Sequence, residues 1–200
     1  MNILQTPAKL LSNDLLARFI AIVGDRHAIT DPQAQAPYLL EMRDMFHGHT
    51  PVVLRPGTVA EVAGILKLAN ETSTPIVPQG GNTGLVGGQI AQHGEIVLSL
   101  NRLDRIREVD PVSNTMTCEA GVTLLRAREA AAAVDRLYPQ LLPSEGTARS
   151  AAIFRPMRAA RPPSHGASRG HKRSGSRWCW RMGACSTIST SSRRTIPATT

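Results

Sequence analysis

Residues 78–88 read Pro78-Gln79-Gly80-Gly81-Asn82-Thr83-Gly84-Leu85-Val86-Gly87-Gly88 and follow a short apolar stretch. Glycine tolerates positive φ and has no Cβ, so consecutive backbone N–H groups can converge on one point and approach an anion closely. The run lacks the alternating glycines of a dinucleotide fingerprint and, because no Lys-Ser or Lys-Thr follows, it is not a Walker loop. It predicts an anion-binding loop, with an ordinary flexible turn as the alternative.

Charge divides the chain near residue 148. The chain has 23 Lys and Arg residues and 15 Asp and Glu residues, and all 15 acidic residues but only 12 of the basic ones precede Arg149. Residues 149–200 hold the other 11 basic residues, are rich in Ser and Pro, and show no sustained apolar period. Such a segment is not expected to form a core of its own.

Two interpretations of residues 149–200 are open. A basic tail binding nucleic acid electrostatically is one, with Trp178 and Trp180 as stacking aromatics. The other is a reading frame shifted by one base near Arg149. In that frame the codons of residues 150–164 can encode GGNLSTNAGGTAAL, and those of residues 175–182 can encode LEVVLAD. The codons of Met182 and Gly183 then require a Gly. The shifted frame gives plausible strand and glycine-loop sequences, so we favour an out-of-frame, unstructured tail and do not expect nucleic acid as a partner.

Five segments together carry a family resemblance. Besides the glycine run they are Pro51-Val-Val-Leu-Arg-Pro56, Leu98-Ser-Leu-Asn-Arg-Leu103, Cys118-Glu-Ala-Gly-Val122 and Leu142-Pro-Ser-Glu-Gly146. Residues 37–148 resemble the N-terminal part of the FAD-linked oxidases with the vanillyl-alcohol-oxidase, or PCMH, type of FAD-binding domain. Within that family the chain is most similar to D-2-hydroxyacid dehydrogenases acting on D-lactate, D-2-hydroxyglutarate or glycolate.

The resemblance implies FAD as cofactor and oxidation of a 2-hydroxyacid to a 2-oxoacid, with electrons passing to an unknown acceptor. It implies that the diphosphate of FAD lies along the glycine run and is neutralised by backbone donors without a cation, and that Gly88 permits close packing beside the cofactor. The implied cofactor-binding residues are Pro78, Gln79, Gly80, Gly81, Asn82, Thr83, Gly84, Leu85, Gly88, Pro143, Ser144, Glu145, Gly146 and Thr147. No catalytic residue can be named, since in the family that role belongs to a later domain. The chain is thus expected to be a truncated, inactive copy.

The apolar periodicity predicts an α+β fold. Predicted helices cover 15–23, 59–71 and 124–137, the second begun by the capping box Thr58-Val-Ala-Glu61. Predicted strands cover 52–54, 75–78, 95–100, 106–109 and 115–119. We expect a helical lead-in over 1–36, a partial FAD-binding domain over 37–148 and the out-of-frame tail over 149–200.

Other patterns predict little chemistry. His47 and His49 with Asp44 have a metal-like spacing but no evident further ligand, so no metal site is predicted. Cys118 is predicted as a small buried side chain. With one cysteine before the tail no disulfide framework is implied, and a cytoplasmic location is favoured. Charged residues interrupt the apolar N-terminal stretch, so no secretory segment or membrane span is expected there.

Overall fold

A computed structural model of the chain describes residues 11–138, 140 and 142–150, together with the backbone strands 175–179 and 185–189. The helices are α1 (Asn13–Val23), α2 (Pro32–Leu39), α3 (Val59–Thr72) and α4 (Leu124–Ala132), with a short 3-10 helix at Asp25–His27. The strands are β1 (Ala28–Ile29), β2 (Val53–Leu54), β3 (Ile76–Gln79), β4 (Ile96–Ser99), β5 (Ile106–Asp110), β6 (Thr115–Cys118), β7 (Gly175–Cys179) and β8 (Cys185–Ser189).

The central sheet has four strands in the order β1-β2-β4-β3. Strands β2, β4 and β3 run parallel, and β1 is antiparallel to β2. Helix α3 makes the crossover between β2 and β3, as a parallel connection requires. All four residues of β4 are buried, which fits a strand covered on both faces.

Alternate residues of these strands face two different cores. On one face Leu54, Ile96 and Leu98 pack with Phe19 of α1 and Ile65 of α3. On the other face Val53 and Val97 pack with Ala91, and Tyr38 and Leu39 of α2 cover them. The alternation follows from the two-residue period of a strand. The sheet is therefore a layer between α1 and α3 on one side and α2 on the other.

The capping box of α3 is confirmed, with one difference. The Thr58 hydroxyl accepts a hydrogen bond from Glu61 N at 3.1 Å. The Glu61 carboxylate accepts from Gly57 N at 2.8 Å, one residue before the cap, rather than from Thr58 N. The helix ends at Thr72, and its C-cap residue Ser73 adopts the left-handed conformation.

The last predicted helix is too long by five residues. It ends at Ala132 rather than at residue 137. Asp135 has φ +54°, and Arg136 donates from its guanidinium to Pro111 O and to Asn114 Oδ1. These bonds hold the chain against the β5–β6 turn, so tertiary contacts override the helix propensity of the alanine run.

The other predicted elements agree with the structure to within two residues. Besides the short 3-10 helix and strands β7 and β8, two observed elements were not predicted. These are β1 and α2, of which α2 contains Pro37. Helix α2 also spans the predicted boundary between residues 36 and 37, and α1 packs into the same core as α3.

The three-part division of the chain stays a prediction. Within the predicted tail, Arg149 and Ser150 join the domain, since Ser150 N donates to Val122 O at 2.8 Å. Strands β7 and β8 pair antiparallel in a segment where the sequence predicted no structure. The remaining tail residues, on which the prediction of an unstructured segment falls, lie outside the described residues. Across the part of the chain that the structure describes, no helix is long and apolar enough to cross a membrane.

Candidate functional site

Three residues follow directly upon the parallel strands at one edge of the sheet. Arg55 follows β2, Gly80 follows β3, and Asn101 lies two residues beyond β4. Because carboxyl ends of parallel strands meet at the same edge, these residues are brought together although they are far apart in sequence. That edge is where parallel sheets generally bind their ligands.

A cavity of about 410 Å³ opens at this edge. One wall comes from the segment of β1 and α2, through Ile29, Ala34, Pro37 and Tyr38. The other wall comes from the strand ends, through Arg55, Gln79, Gly80, Gly81, Asn82 and Asn101. The site thus combines an apolar wall with a polar wall that carries one positive charge.

The glycine run supplies a series of unused donors. Among the described residues, no backbone N–H from residue 80 to residue 89 donates a hydrogen bond. The run turns sharply, with φ +53° at Asn82 and φ +71° at Gly87. Backbone N–H groups that have no protein acceptor beside a cavity are suited to an anionic ligand.

Gln79 and Asn82 hold the end of α2 in place. Gln79 is 1% exposed, and its Nε2 donates to Tyr38 O at 2.8 Å and to Gln89 O at 3.0 Å. Asn82 Nδ2 donates to Pro37 O at 3.1 Å and to Leu40 O at 2.8 Å. The last carbonyls of a helix lack partners within the helix, and these two amides satisfy them. The amide nitrogens thus brace the cavity wall, whereas Asn82 Oδ1 is buried without a partner among the described residues.

A Cβ would meet a close neighbour at three glycine positions of the run. A Cβ on Gly81 would lie 1.9 Å from Thr147 O, one on Gly84 would lie 2.6 Å from Gln89 Oε1, and one on Gly87 would lie 2.8 Å from the Phe46 ring. Gly88 differs, because a Cβ there would meet no described atom within 4 Å. The close packing of Gly88 beside the cofactor stays a prediction.

The second predicted segment, Leu142–Thr147, is tied to the start of α4. Leu125 N donates to Glu145 O and Leu124 N donates to Ala148 O, both at 3.0 Å. The Glu145 carboxylate pairs with Arg128 of α4. Consequently the first N–H groups of α4 and the Glu145 side chain are engaged within the protein. The Thr147 carbonyl group of this segment lies beside Gly81 of the glycine run.

The structure brings four of the predicted residues to the cavity: Gln79, Gly80, Gly81 and Asn82. It does not place the others in the cavity lining, namely Pro78, Thr83, Gly84, Leu85, Gly88, Pro143, Ser144, Glu145, Gly146 and Thr147. Their roles toward the cofactor stay predictions.

Sequence reasoning missed Arg55 and Asn101 as site residues. Both lie in segments that carry the family resemblance, and each follows a buried apolar strand, which is the signal that points to a sheet edge. Arg55 lines the cavity, and the neutralisation of the ligand by backbone donors without a cation stays a prediction.

Positively charged side chains act on His27, whose carbonyl oxygen accepts a hydrogen bond from Arg55 N. Partial burial lowers the pKa of His27, and the charges of Arg102, Arg26 and Arg55 lower it further, opposed by Glu61. At the predicted metal-like segment, His47 Nε2 lies 3.2 Å from Asp44 Oδ1, and both side chains are largely exposed.

A parallel sheet with an anion-accepting loop at its carboxyl edge is the arrangement of a cofactor-binding domain. A family model described as an FAD binding domain matches residues 50–153, and the chain belongs to this family. It is 34% identical over 138 residues to the D-2-hydroxyglutarate–pyruvate transhydrogenase of Saccharomyces cerevisiae. The aligned region covers 68% of this chain and 28% of that protein. It is 37% identical over 118 residues to the mitochondrial D-2-hydroxyglutarate dehydrogenase of Bos taurus, with 59% of this chain and 22% of that protein covered.

A solved structure of p-cresol methylhydroxylase with substrate bound shows the same fold. It aligns with a TM-score of 0.54 at 24% identity, over 62% of this chain and 25% of that one. The resemblance to PCMH-type FAD-binding domains is therefore confirmed. The chain spans about a quarter of the length of the two relatives. The cytoplasmic location is not confirmed, since the bovine relative is named mitochondrial.

The residues present fit FAD, the cofactor of the family. The unused N–H groups of Gly80, Gly81 and Asn82 at the cavity and the charge of Arg55 suit a diphosphate, and the apolar wall suits a ring system. The buried acceptors Asn82 Oδ1 and Asn101 Oδ1 have no partner among the described residues, so a ligand with donors would satisfy them.

Proposed function

We propose that this chain forms the front part of an FAD-binding domain in a flavoenzyme that oxidises a D-2-hydroxyacid to the 2-oxoacid. The observation that carries the proposal is the run of unused backbone donors at the carboxyl edge of the parallel sheet, beside the cavity. The names of the yeast transhydrogenase and the bovine dehydrogenase both include D-2-hydroxyglutarate, which supports the substrate class. The electrons would pass from the cofactor to a separate acceptor.

Bound FAD supplies the redox chemistry, by taking a hydride equivalent from the carbon that bears the substrate hydroxyl. The residues of this chain have a binding role. Gly80 and Gly81 offer backbone donors, Arg55 offers charge, and Gln79 and Asn82 hold α2 as the opposite wall. A wall fixed by buried hydrogen bonds keeps the cofactor in one orientation.

The chain does not carry the whole reaction in its described part. Among the residues that line the cavity there is no Asp, Glu, His or Lys, so none of them is a suitable general base near neutral pH. Proton removal from the substrate hydroxyl therefore requires a residue from another segment. We accordingly propose that the 200-residue chain binds FAD but does not turn over substrate.

We further propose that residues after Ala148 are read out of frame. The shifted frame yields a second glycine-rich segment, and the family match ends at residue 153, close to the proposed shift. Sequencing the gene across the codons for Ala148–Ser150 tests this directly. A one-base correction that opens a long frame beginning with the glycine-rich segment is expected, and stop codons soon after the shift would show the proposal to be wrong.

The experiment on function compares two proteins, the present chain and the frame-corrected chain. Each is purified, its flavin absorbance is recorded, and FAD release is checked after denaturation. Both are then assayed with D-2-hydroxyglutarate, D-lactate and glycolate, using an artificial electron acceptor. We expect turnover only from the corrected chain and flavin in both. A corrected chain without flavin, or one that carries flavin but oxidises none of these acids, contradicts the proposal.

L-2-Hydroxyglutarate is the matched control substrate. It has the same charge and size as the D form, so activity on it at a similar rate would refute stereospecific recognition.

The cytoplasmic location remains part of the proposal and is tested by imaging the tagged, frame-corrected chain in its own cell. The nucleic-acid alternative rests on residues after Ala148, and neither relative nor the aligned structure named above favours it.

A further inference from the structure

The backbone of Arg55 is fixed from both sides. Its N–H donates to His27 O at 3.0 Å, and its carbonyl oxygen accepts from Arg102 Nη1 at 2.7 Å. The preceding residue, Leu54, is fully buried in β2. These hydrogen bonds fix the position of the Arg55 backbone at the cavity wall. The position of the guanidinium then depends on the side-chain torsions alone.

No carboxylate neutralises Arg55 within the described part of the chain. The arginine ion pairs found there join Arg107 to Glu119, Arg126 to Asp104 and Arg128 to Glu145. The Nε atom of Arg55 is buried and makes no hydrogen bond to another described residue. Partial burial of an unpaired cation is unfavourable, so an anion bound in the cavity would be stabilised by Arg55 and would relieve this cost.

Two neighbours add to the same field. Arg26 and Arg102 act on His27 together with Arg55, and all three lower its pKa. Among the described residues neither Arg26 nor Arg102 forms an ion pair with a carboxylate. Glu61 opposes the three arginines at His27, but none of the three has a carboxylate within ion-pair distance among the described residues.

Gly80 and Gly81 line the same cavity as Arg55, and their N–H groups are unused among the described residues. A guanidinium is planar and can donate two parallel hydrogen bonds to phosphate oxygens, which a lysine cannot do. Backbone donors and a guanidinium on one cavity are the components of a site for a phosphate ester.

We propose that Arg55 is the cation that pairs with the diphosphate of FAD, completing an anion site whose other donors are the N–H groups of Gly80 and Gly81. This inference rests on the proposed function, because it takes FAD as the ligand. It also makes the site selective for ligands that carry a diphosphate. ADP, which has the diphosphate without the flavin, binds, and riboflavin, which has the flavin without phosphate, does not.

The test is a calorimetric titration of the full 200-residue chain with FAD, ADP and riboflavin at low and high salt. The variants are Arg55→Gln, Arg55→Lys and the control Arg18→Gln, which removes one exposed arginine of α1 outside the cavity. Arg55→Gln is expected to weaken FAD and ADP binding at least about tenfold, which corresponds to about 1.4 kcal/mol. It should also reduce the dependence of ADP binding on salt. Arg55→Lys should lie between Arg55→Gln and wild type, and Arg18→Gln should match wild type.

The outcomes separate this inference from the proposed function. If Arg55→Gln folds by circular dichroism and binds ADP as tightly as wild type, the role of Arg55 is refuted while the FAD site stands. If the wild-type chain binds neither FAD nor ADP, both fail. If Arg55→Gln does not fold, Arg55→Lys decides, and ADP binding by that variant equal to the Arg18→Gln control would overturn the inference.

Discussion

Gly81 touches the backbone of Thr147 so closely that a Cβ on Gly81 would lie 1.9 Å from the Thr147 carbonyl oxygen and 2.8 Å from its carbonyl carbon. The neighbouring residue Gly80 also has a close neighbour, since a Cβ on Gly80 would lie 3.3 Å from Arg149 Cβ. The two segments that carry much of the family resemblance therefore meet in space. Their contact is between backbone atoms, which cannot be moved aside like a flexible side chain.

Replacement of Gly81 by alanine is expected to destabilise the domain by about 1–3 kcal/mol, as overpacking does. The added methyl group forces the Thr147 segment away from the glycine run. Urea unfolding of the two proteins measures the change. Gly88→Ala is the matched control, because Gly88 is exposed, its φ is not positive and a Cβ there would meet no described atom within 4 Å. Equal stability of the two variants would contradict the observed contact.

Removal of the Gln79 amide should loosen α2. Gln79→Ala leaves the carbonyl oxygens of Tyr38 and Gln89 without their donor, at a cost of about 1–3 kcal/mol. The variant should also be cut faster by protease within residues 32–40, because the end of α2 loses its attachment. Gln33→Ala, at an exposed position on the same helix, is the control. Cleavage at the same rate in both variants would show that Gln79 does not brace the helix.

The capping interaction of α3 predicts a smaller effect. Thr58→Ala removes the acceptor for Glu61 N and is expected to cost about 1 kcal/mol of unfolding free energy. Glu61→Gln should also destabilise, because the carboxylate accepts from Gly57 N near the positive end of the helix. Thermal unfolding of these variants and of Glu71→Gln, an exposed position late in the same helix, gives the comparison. Additive effects of Thr58→Ala and Glu61→Gln in the double variant would argue against a coupled box.

Alkaline pH should weaken the fold through Tyr138. Burial raises the pKa of Tyr138 from 10.0 to about 12, with a further contribution from Cys118. A phenol whose pKa is raised by folding stabilises the folded state while it is neutral. This contribution is complete below pH 10 and is lost as the pH rises toward 12. Tyr138→Phe cannot ionise, so its stability relative to wild type should improve over that interval, as followed by urea unfolding at several pH values. Parallel pH profiles for the two proteins would contradict the assignment.

Local sequence patterns were sufficient to predict helix α3 and strands β2 and β4. Thr58 and Glu61 define the start of α3 within four residues of each other, and the apolar runs define β2 and β4. Helix α2 gave no such signal. It contains Pro37, and its end is stabilised by the amides of Gln79 and Asn82, which lie more than 40 residues further along the chain. No local sequence pattern predicts a hydrogen bond between residues so far apart in the chain.

Some residues of the candidate site could likewise be predicted from local sequence, and others could not. The anion-binding character of residues 79–82 follows from glycine spacing, because the backbone itself provides the donors. Arg55 becomes a site residue only through the strand order of the sheet, which places the end of β2 near the end of β3 with β4 between them. That order depends on long-range packing, so the cation in the cavity could not be read from the sequence.

The bracing of α2 by the glycine run also bears on how the domain folds. The hydrogen bonds from Gln79 and Asn82 span 41 to 45 residues, and Gly81 meets a segment more than 60 residues beyond it. Each of these contacts closes a long chain loop before any binding surface exists, and contacts of large sequence separation slow folding. We therefore expect the cavity to form late in folding, and an isolated peptide of residues 78–88 to retain the glycines without retaining the site.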